Sequence, residues 1–380
     1  MNILLIVSWY KTQDNPMIGS FFEEQARALI KKGHKVILYY PEYLCFSSST
    51  KKFTYDHNDN GIRTIQQGIK ALIPYSRKFN YNYFATQAYK LLRRKGILEN
   101  IDIVHAHTFR FAGVVALKIK SKTKLNYIVT EHFSQLTNEG GIHHKVDLEY
   151  AKLIFENSKC NFAVSNFFKK QIIEKLHLSP TQFQVLPNMV NETFLNEKLI
   201  SNKPLILFSV AFFTKNKNIS LQLKAFKLFL QTHPDSVLKI GGDGPEQQNI
   251  MEEIKNLNIS RNVILLGLLT RQQVLDELKT ATLFIHSSLY ETFGVVLIEA
   301  LAMGVPVVAL DSGGPRDIIN KENGILVKEN NVESFCEAML FVIKNGSSYP
   351  AIKLRNDCAN KFSEHSVISM IEKQYKIHAK

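Results

Sequence analysis

The chain has 380 residues, 45% hydrophobic and 21% charged, an ordinary globular composition with room for two domains rather than one. Its four cysteines, Cys45, Cys160, Cys336 and Cys358, show no C-x-x-C spacing, which excludes a disulfide framework or zinc knuckle and fits a reducing compartment. The formal charge of +13 is one-sided, since residues 1–190 hold 26 Lys and Arg against 14 Asp and Glu; an anionic partner such as a membrane surface, a phosphorylated acceptor or nucleic acid would meet the first half only, with plain solubility as the alternative.

In chain order, MNILLIVSWY is an apolar run too short for a signal peptide or a membrane span, and it reads as a first strand, Asn2 to Ser8. A polar loop with Pro16 and Gly19 leads into FFEEQARALIKKG, a helix with apolar positions Phe21, Ala28 and Leu29 that Gly33 ends before a strand from Lys35 to Tyr40. Residues 60–98 carry no acidic side chain, and basic and aromatic residues interleave from Tyr75 to Lys95. That mixture suits a membrane interface, and equally an amphipathic helix with its tyrosines in a core. Strands follow at Ile101 to Ala106, Leu125 to Thr130 and Asn161 to Ser165, with a helix from Ala112 to Lys120. Strand alternation puts His105 and His107 on one sheet face. Glu131-His132 closes the next strand, but no third ligand is fixed, and no metal is assigned.

The second half opens after Val185 to Asn191 with a strand at Pro204 to Ala211, a loop holding Lys215 and Lys217, and a helix from Ile219 to Thr232. A strand from Ser236 to Ile240 runs into Gly241-Gly242-Asp243-Gly244-Pro245, which matches neither a P-loop nor G-x-G-x-x-G. TLFIHSSLYETFGVVLIEALAMGVPVVALDSGGPRD then reads as a βαβ unit: strand Thr282 to Ser288, loop Leu289 to Gly294, helix Val295 to Met303, and strand Val307 to Leu310. Glu299 inside that apolar helix is costly without a hydrogen bond, which makes a ligand hydroxyl a plausible partner. The helix start behind Gly294 suits an anion. Four loops, at Thr214 to Asn218, Gly241 to Pro245, Ser288 to Gly294 and Ser312 to Pro315, each follow a strand's carboxyl end, where open α/β sheets bind ligands. Together they offer a lysine, glycine-rich backbone, a helix N-terminus and two glutamates, which is the inventory for a nucleotide sugar. Phe362 to Ile377 is an amphipathic helix with Val367, Ile368, Ile371 and Tyr375 apolar.

The string E-T-F-G-V-V-L-I-E-A-L-A-x-G-x-P-V-V closely resembles the E-x7-E signature of retaining glycosyltransferases of family 4. The resemblance implies an α/β GT-B fold, two doubly wound Rossmann-like domains facing a central cleft, with a terminal helix crossing back to the first domain. The expected boundaries are 1–187 for the acceptor domain, 188–361 for the nucleotide-sugar domain and 362–380 for the returning helix. It implies catalytic roles for His107, beneath the donor sugar, Lys217 and Glu291. Donor contacts are expected from Gly19, Lys217, Gly242, Glu291, Thr292, Phe293, Gly294, Val295 and Glu299, with Glu291 on sugar hydroxyls and Glu299 on the ribose. Glu131 and His132 would line the acceptor side. An arginine common in relatives is replaced by Phe212, so the diphosphate rests on Lys217 and backbone N–H groups.

No D-x-D triplet occurs, and the expected chemistry is metal-independent hexosyl transfer without a cofactor. The donor is a UDP- or GDP-linked sugar and the acceptor a saccharide or lipid-linked saccharide of cell-surface polymer or glycolipid synthesis. The expected setting is cytoplasmic, peripheral on an anionic inner membrane face through residues 70–95, with no nucleic acid. Two rivals share the fold: an epimerase of nucleotide amino sugars, and a non-catalytic binder of anionic polymers.

Overall fold

A computed structural model describes residues 1–11, 18–138, 141–200 and 203–380; Pro16 of the first loop lies outside them. The chain divides into two compact units, Met1–Pro187 with Val367–Lys380, and Asn188–Ser366.

The first unit runs β1 (Asn2–Val7), α1 (Ser20–Lys31), β2 (Lys35–Leu44), β3 (Phe53–Asp59), β4 (Ile62–Lys70), α2 (Arg77–Arg94), β5 (Ile103–His107), α3 (Val114–Lys122), β6 (Tyr127–Glu131), α4 (Lys145–Asn157), β7 (Asn161–Ala163), α5 (Asn166–Leu176) and β8 (Phe183–Val185). Among the described residues its sheet has the order β3-β4-β2-β1-β5-β6-β7-β8. All pairings are parallel except β3 with β4. Ile3 to Val7 have no exposed surface, which explains a near-continuous apolar strand: helices cover both of its faces.

The β3–β4 hairpin is not among the expected elements. Its signal is present in the sequence, because Asn60-Gly61 takes positive φ at both positions (51° and 90°), as a two-residue primed turn requires. In α1 the buried ring is Phe22, not Phe21, which is only partly covered. A π-turn at Phe109–Gly113 precedes α3, so that helix starts two residues later than expected. The ambiguity over residues 70–95 resolves by position. Tyr81 and Phe84 are core side chains, and Tyr81 Oη donates to Asp147 at 2.7 Å. Leu72, Ile73, Tyr75 and Phe79 are exposed beside Arg77 and Lys78.

The second unit runs α6 (Glu192–Asn196), β9 (Ile206–Val210), α7 (Ile219–Phe229), β10 (Val237–Gly241), α8 (Gln247–Asn256), β11 (Val263–Gly267), α9 (Arg271–Thr280), β12 (Leu283–His286), α10 (Val295–Ala302), β13 (Val307–Leu310), β14 (Gly324–Val327), α11 (Val332–Lys344) and α12 (Ala351–Phe362). Its parallel sheet has the order β11-β10-β9-β12-β13-β14 among the described residues. In each unit the winding reverses once, between β1 and β5 and between β9 and β12, and such switch points are where doubly wound sheets open a crevice. The last helix, α13 (Glu364–His378), returns to the first unit. Val367, Ile368, Ile371 and Tyr375 are buried there, the four apolar positions read from the sequence. Among the described residues no helix is long and apolar enough to cross a membrane.

Candidate functional site

In the second unit the loops after β9 and β12, the switch-point strands, are tied to one another. Leu289 N–H donates to Asn216 O at 2.8 Å, Asn216 Nδ2 donates to Tyr290 O at 3.0 Å, and Tyr290 N–H returns to Asn216 Oδ1 at 3.1 Å. Ser287 Oγ donates to Lys217 O at 2.7 Å. The outcome is that Lys217 Nζ stands 2.9 Å from Glu291 Oε2. His286 Nε2 lies 3.6 Å from the same oxygen. Burial pushes the Glu291 carboxyl up, but the Lys217 ammonium and His286 outweigh it and hold the group well below the usual carboxylate range.

The backbone around this pair leaves no room for side chains. Gly242 has φ +137°, and a Cβ there would come within 1.9 Å of Ala211 O. Gly314 packs against Phe293 N, which a Cβ would approach to 2.4 Å, and its N–H donates to Glu291 O at 2.8 Å. Gly294, at φ +101°, caps α10. Leu297 N–H already donates to Gly294 O at 3.0 Å; the Val295 and Val296 amides, which a helix leaves without an internal acceptor, suit an anion. Thr292 is buried there. The Phe293 side chain turns into the core against Phe362, with ring centroids 5.8 Å apart; the expected donor contact therefore falls to its backbone and not its ring. Glu299 is buried in α10, and its ion-pair partner is Arg271 at 3.4 Å, the first residue of α9. Sequence alone offers that position a ligand hydroxyl and misses the arginine, which lies 28 residues away and is announced only by following a strand end. Phe212, at the position of the missing cation, is 61% exposed on the loop after β9.

In the first unit, β1 and β5 pair with Val7 opposite His107. His105 and His107 do share a face, and their rings stack with centroids 4.5 Å apart. His132 stacks on His107 at 5.3 Å, and its Nε2 is 3.0 Å from His107 Nδ1. The column is anchored below by α13: Tyr375 Oη is 2.7 Å from His105 Nδ1, while His105 Nε2 is 2.7 Å from Thr130 Oγ1. Burial lowers His105 and His132 to about 3 and His107 well below the ordinary imidazole value. All three are neutral hydrogen-bonding groups.

His107 has no exposed surface, and its ring nitrogens meet His132 and, at 3.4 Å, Gln25 Nε2. The ring that reaches the edge of the column is His132, ringed by the partly exposed Trp9, Phe21 and Phe133. Glu131 is fully buried, and its carboxylate accepts N–H groups from Phe109 (2.7 Å), His132 (3.0 Å) and Phe133 (2.8 Å). Burial still raises it to about 7 against those amides. Glu131 pins a strained turn in which Thr108 and Phe111 take positive φ (76° and 58°). Gly19, at φ +75°, begins α1, and a Cβ would sit 3.2 Å from Trp9 O. Among the described residues no group of three or more His, Cys, Asp or Glu could hold a metal ion.

Two doubly wound units, with a last helix that belongs to the first, have the GT-B fold. A family model described as glycosyl transferases group 1 matches residues 190–364, and one described as glycosyltransferase family 4 matches residues 18–194. The chain belongs to that family. It is 24% identical over 332 residues to the GPI3 subunit of phosphatidylinositol N-acetylglucosaminyltransferase of Saccharomyces cerevisiae, covering 82% of this chain and 69% of the relative. An uncharacterized glycosyltransferase of Methanocaldococcus jannaschii is 24% identical over 93% of this chain and 92% of its own length. Among solved structures, sucrose-phosphate synthase from Thermosynechococcus elongatus superposes with TM-score 0.77 at 17% identity, covering 99% of both chains. HepE of Anabaena in complex with UDP gives 0.75 at 15% identity, covering 99% of this chain and all of the other.

Proposed function

We propose that this glycosyltransferase moves a hexosyl group from a nucleotide sugar to a saccharide or lipid-linked saccharide with retention of configuration and without a metal. The observation that carries the reading is the Lys217–Glu291 pair at the switch point of the second sheet, beside the capped start of α10. Lys217 and the α10 amides would hold the diphosphate, Glu291 the sugar hydroxyls, and Glu299, steadied by Arg271, the ribose. His132 would present its ring to the donor sugar, with His107 behind it. In the transfer, the acceptor oxygen bonds to the anomeric carbon on the face from which the carbon–phosphate-oxygen bond breaks, and the acceptor proton passes to the leaving diphosphate. Solved relatives of this fold carry UDP and UDP-glucose, which supports a nucleotide-sugar donor.

The exposed Leu72, Ile73, Tyr75 and Phe79 beside Arg77 and Lys78 support docking on an anionic membrane, rings inserted and cations at headgroup level. The cytoplasmic face of a cell membrane, and a product destined for the cell surface, fit that docking and the lipid-modifying relative. A donor screen tests the function. UDP- and GDP-sugars are incubated with and without lipid-linked saccharides, and nucleoside diphosphate release that depends on acceptor is expected. Release of an isomerised sugar nucleotide without acceptor would replace transfer by epimerisation.

A further inference from the structure

On the donor reading above, the Lys217 ammonium has two demands on it. In the free chain it neutralises Glu291; with donor bound it would turn to the diphosphate. Both ends of the Lys217 contact are largely covered, with side chains 24% and 18% exposed. A covered carboxylate left without a partner is costly, and it would tend to take up a proton and lose its grip as an acceptor for sugar hydroxyls.

The second partner is already in place. His286 ends β12, is 3% exposed, and its Nε2 has no hydrogen-bond partner. That nitrogen lies 3.6 Å from Glu291 Oε2, the oxygen that Lys217 holds. With a carboxylate facing it, the favoured neutral tautomer carries the proton on Nε2, so the atom is a donor waiting beyond bonding range. A shift of ~0.7 Å would close a normal N–H···O bond.

The loops around the pair are tied to one another. Asn216 holds Leu289 and Tyr290, and Ser287 Oγ holds Lys217 O. These bonds hold the backbone at both ends of the pair, so a change of partner would fall to the side chains. We propose that His286 is a positioning residue that takes over Glu291 Oε2 as Lys217 turns to the diphosphate, keeping the carboxylate ionised and aimed at the donor sugar.

The test separates nucleotide from sugar. Calorimetry on the full chain uses UDP and GDP, then UDP-glucose, UDP-N-acetylglucosamine and GDP-mannose, with folding followed by thermal melting. His286→Leu is expected to leave nucleoside diphosphate affinity within twofold and to weaken nucleotide-sugar binding about tenfold. His286→Gln, which keeps an N–H donor, is expected to recover most of the loss. A defect equal for nucleotide and nucleotide sugar, or none for either, overturns the takeover. Where His286→Leu does not fold, His286→Ala with and without Glu291→Gln reads the same coupling, and additive effects overturn it. The parent reading fails separately: Lys217→Ala that binds UDP and GDP as well as wild type, or a wild type that binds no nucleotide, removes the donor site and the takeover together.

Discussion

Replacing Lys217 by methionine keeps the stem and removes the charge, and three effects should appear together. An ammonium 2.9 Å from a carboxylate attracts it by about 5 kcal/mol at an effective dielectric near 20, most of which desolvation of the two groups offsets. The lost charge-assisted bond to the diphosphate costs ~1.5–3 kcal/mol, or roughly 10- to 150-fold in affinity. The orphaned Glu291 adds repulsion toward the same phosphates. Glu291 is depressed in the folded chain by Lys217 and His286 against burial, so its stabilising contribution is in place above about pH 4.3 and is lost as pH falls through the lower folded value. In Lys217→Met the burial penalty faces His286 alone, and the carboxyl pKa rises. Nucleoside diphosphate binding should therefore be weakened at pH 7.5, and the deficit should narrow toward pH 5 as Glu291 takes up a proton more readily than in the wild type. Adding Glu291→Gln should restore part of the loss, a coupling of ~0.5–3 kcal/mol. Calorimetry at the two pH values reads all of this. Wild-type affinity in Lys217→Met, or strict additivity in the double variant, would refute the reasoning.

Gly242→Ala should unfold or misplace the loop after β10, because its Cβ meets a backbone oxygen at 1.9 Å; about 3 kcal/mol lost in denaturant unfolding, with nucleotide binding abolished, is the expected result. Tyr375→Phe removes a buried 2.7 Å bond to His105 and should cost ~1–2 kcal/mol in the same assay. Glu131 has a folded pKa of about 7, raised by burial, so its favourable contribution is present below about pH 4.3 and declines as pH rises to 7; the stability gap between wild type and Glu131→Gln should change by up to ~3 kcal/mol over that window. Changing Leu72, Tyr75 and Phe79 together to Ser should abolish the salt-resistant part of binding to anionic vesicles in sedimentation, leaving the salt-sensitive part carried by the lysines and arginines.

Local chemistry makes much of this legible. The E-x7-E string, the helix-breaking Gly304-Val305-Pro306 and the position of Lys217 place the second unit's loops without coordinates, because glycine, proline and helix starts act within a few residues of themselves. What escapes are partners chosen by the sheet. Arg271 faces Glu299, and His286 faces Glu291, only because β11 and β12 end, and α10 starts, on one side. Likewise the sequence, which by resemblance gives His107 the donor side and His132 the acceptor side, does not show that the ring of His107 has no exposed surface. The β3–β4 hairpin escapes for another reason: its strand Phe53–Asp59 is mostly exposed, so it lacks the apolar alternation that marks a half-buried strand.

The return of α13 bears on how the chain folds as it is made. The second unit is one contiguous stretch, whereas the first needs residues from both ends, so the first cannot be finished until α13 has been synthesised. Closing the 270-residue separation between His105 and Tyr375 through a flexible chain would cost ~5 kcal/mol of loop entropy. A folded second unit would remove most of that cost, since Val190 N–H donates to Phe362 O at 2.8 Å and so brings its own two ends together. Truncation before Val367 should then leave nascent chains with a sound second unit and an uncapped histidine column, a species that chaperones would hold and proteases would find.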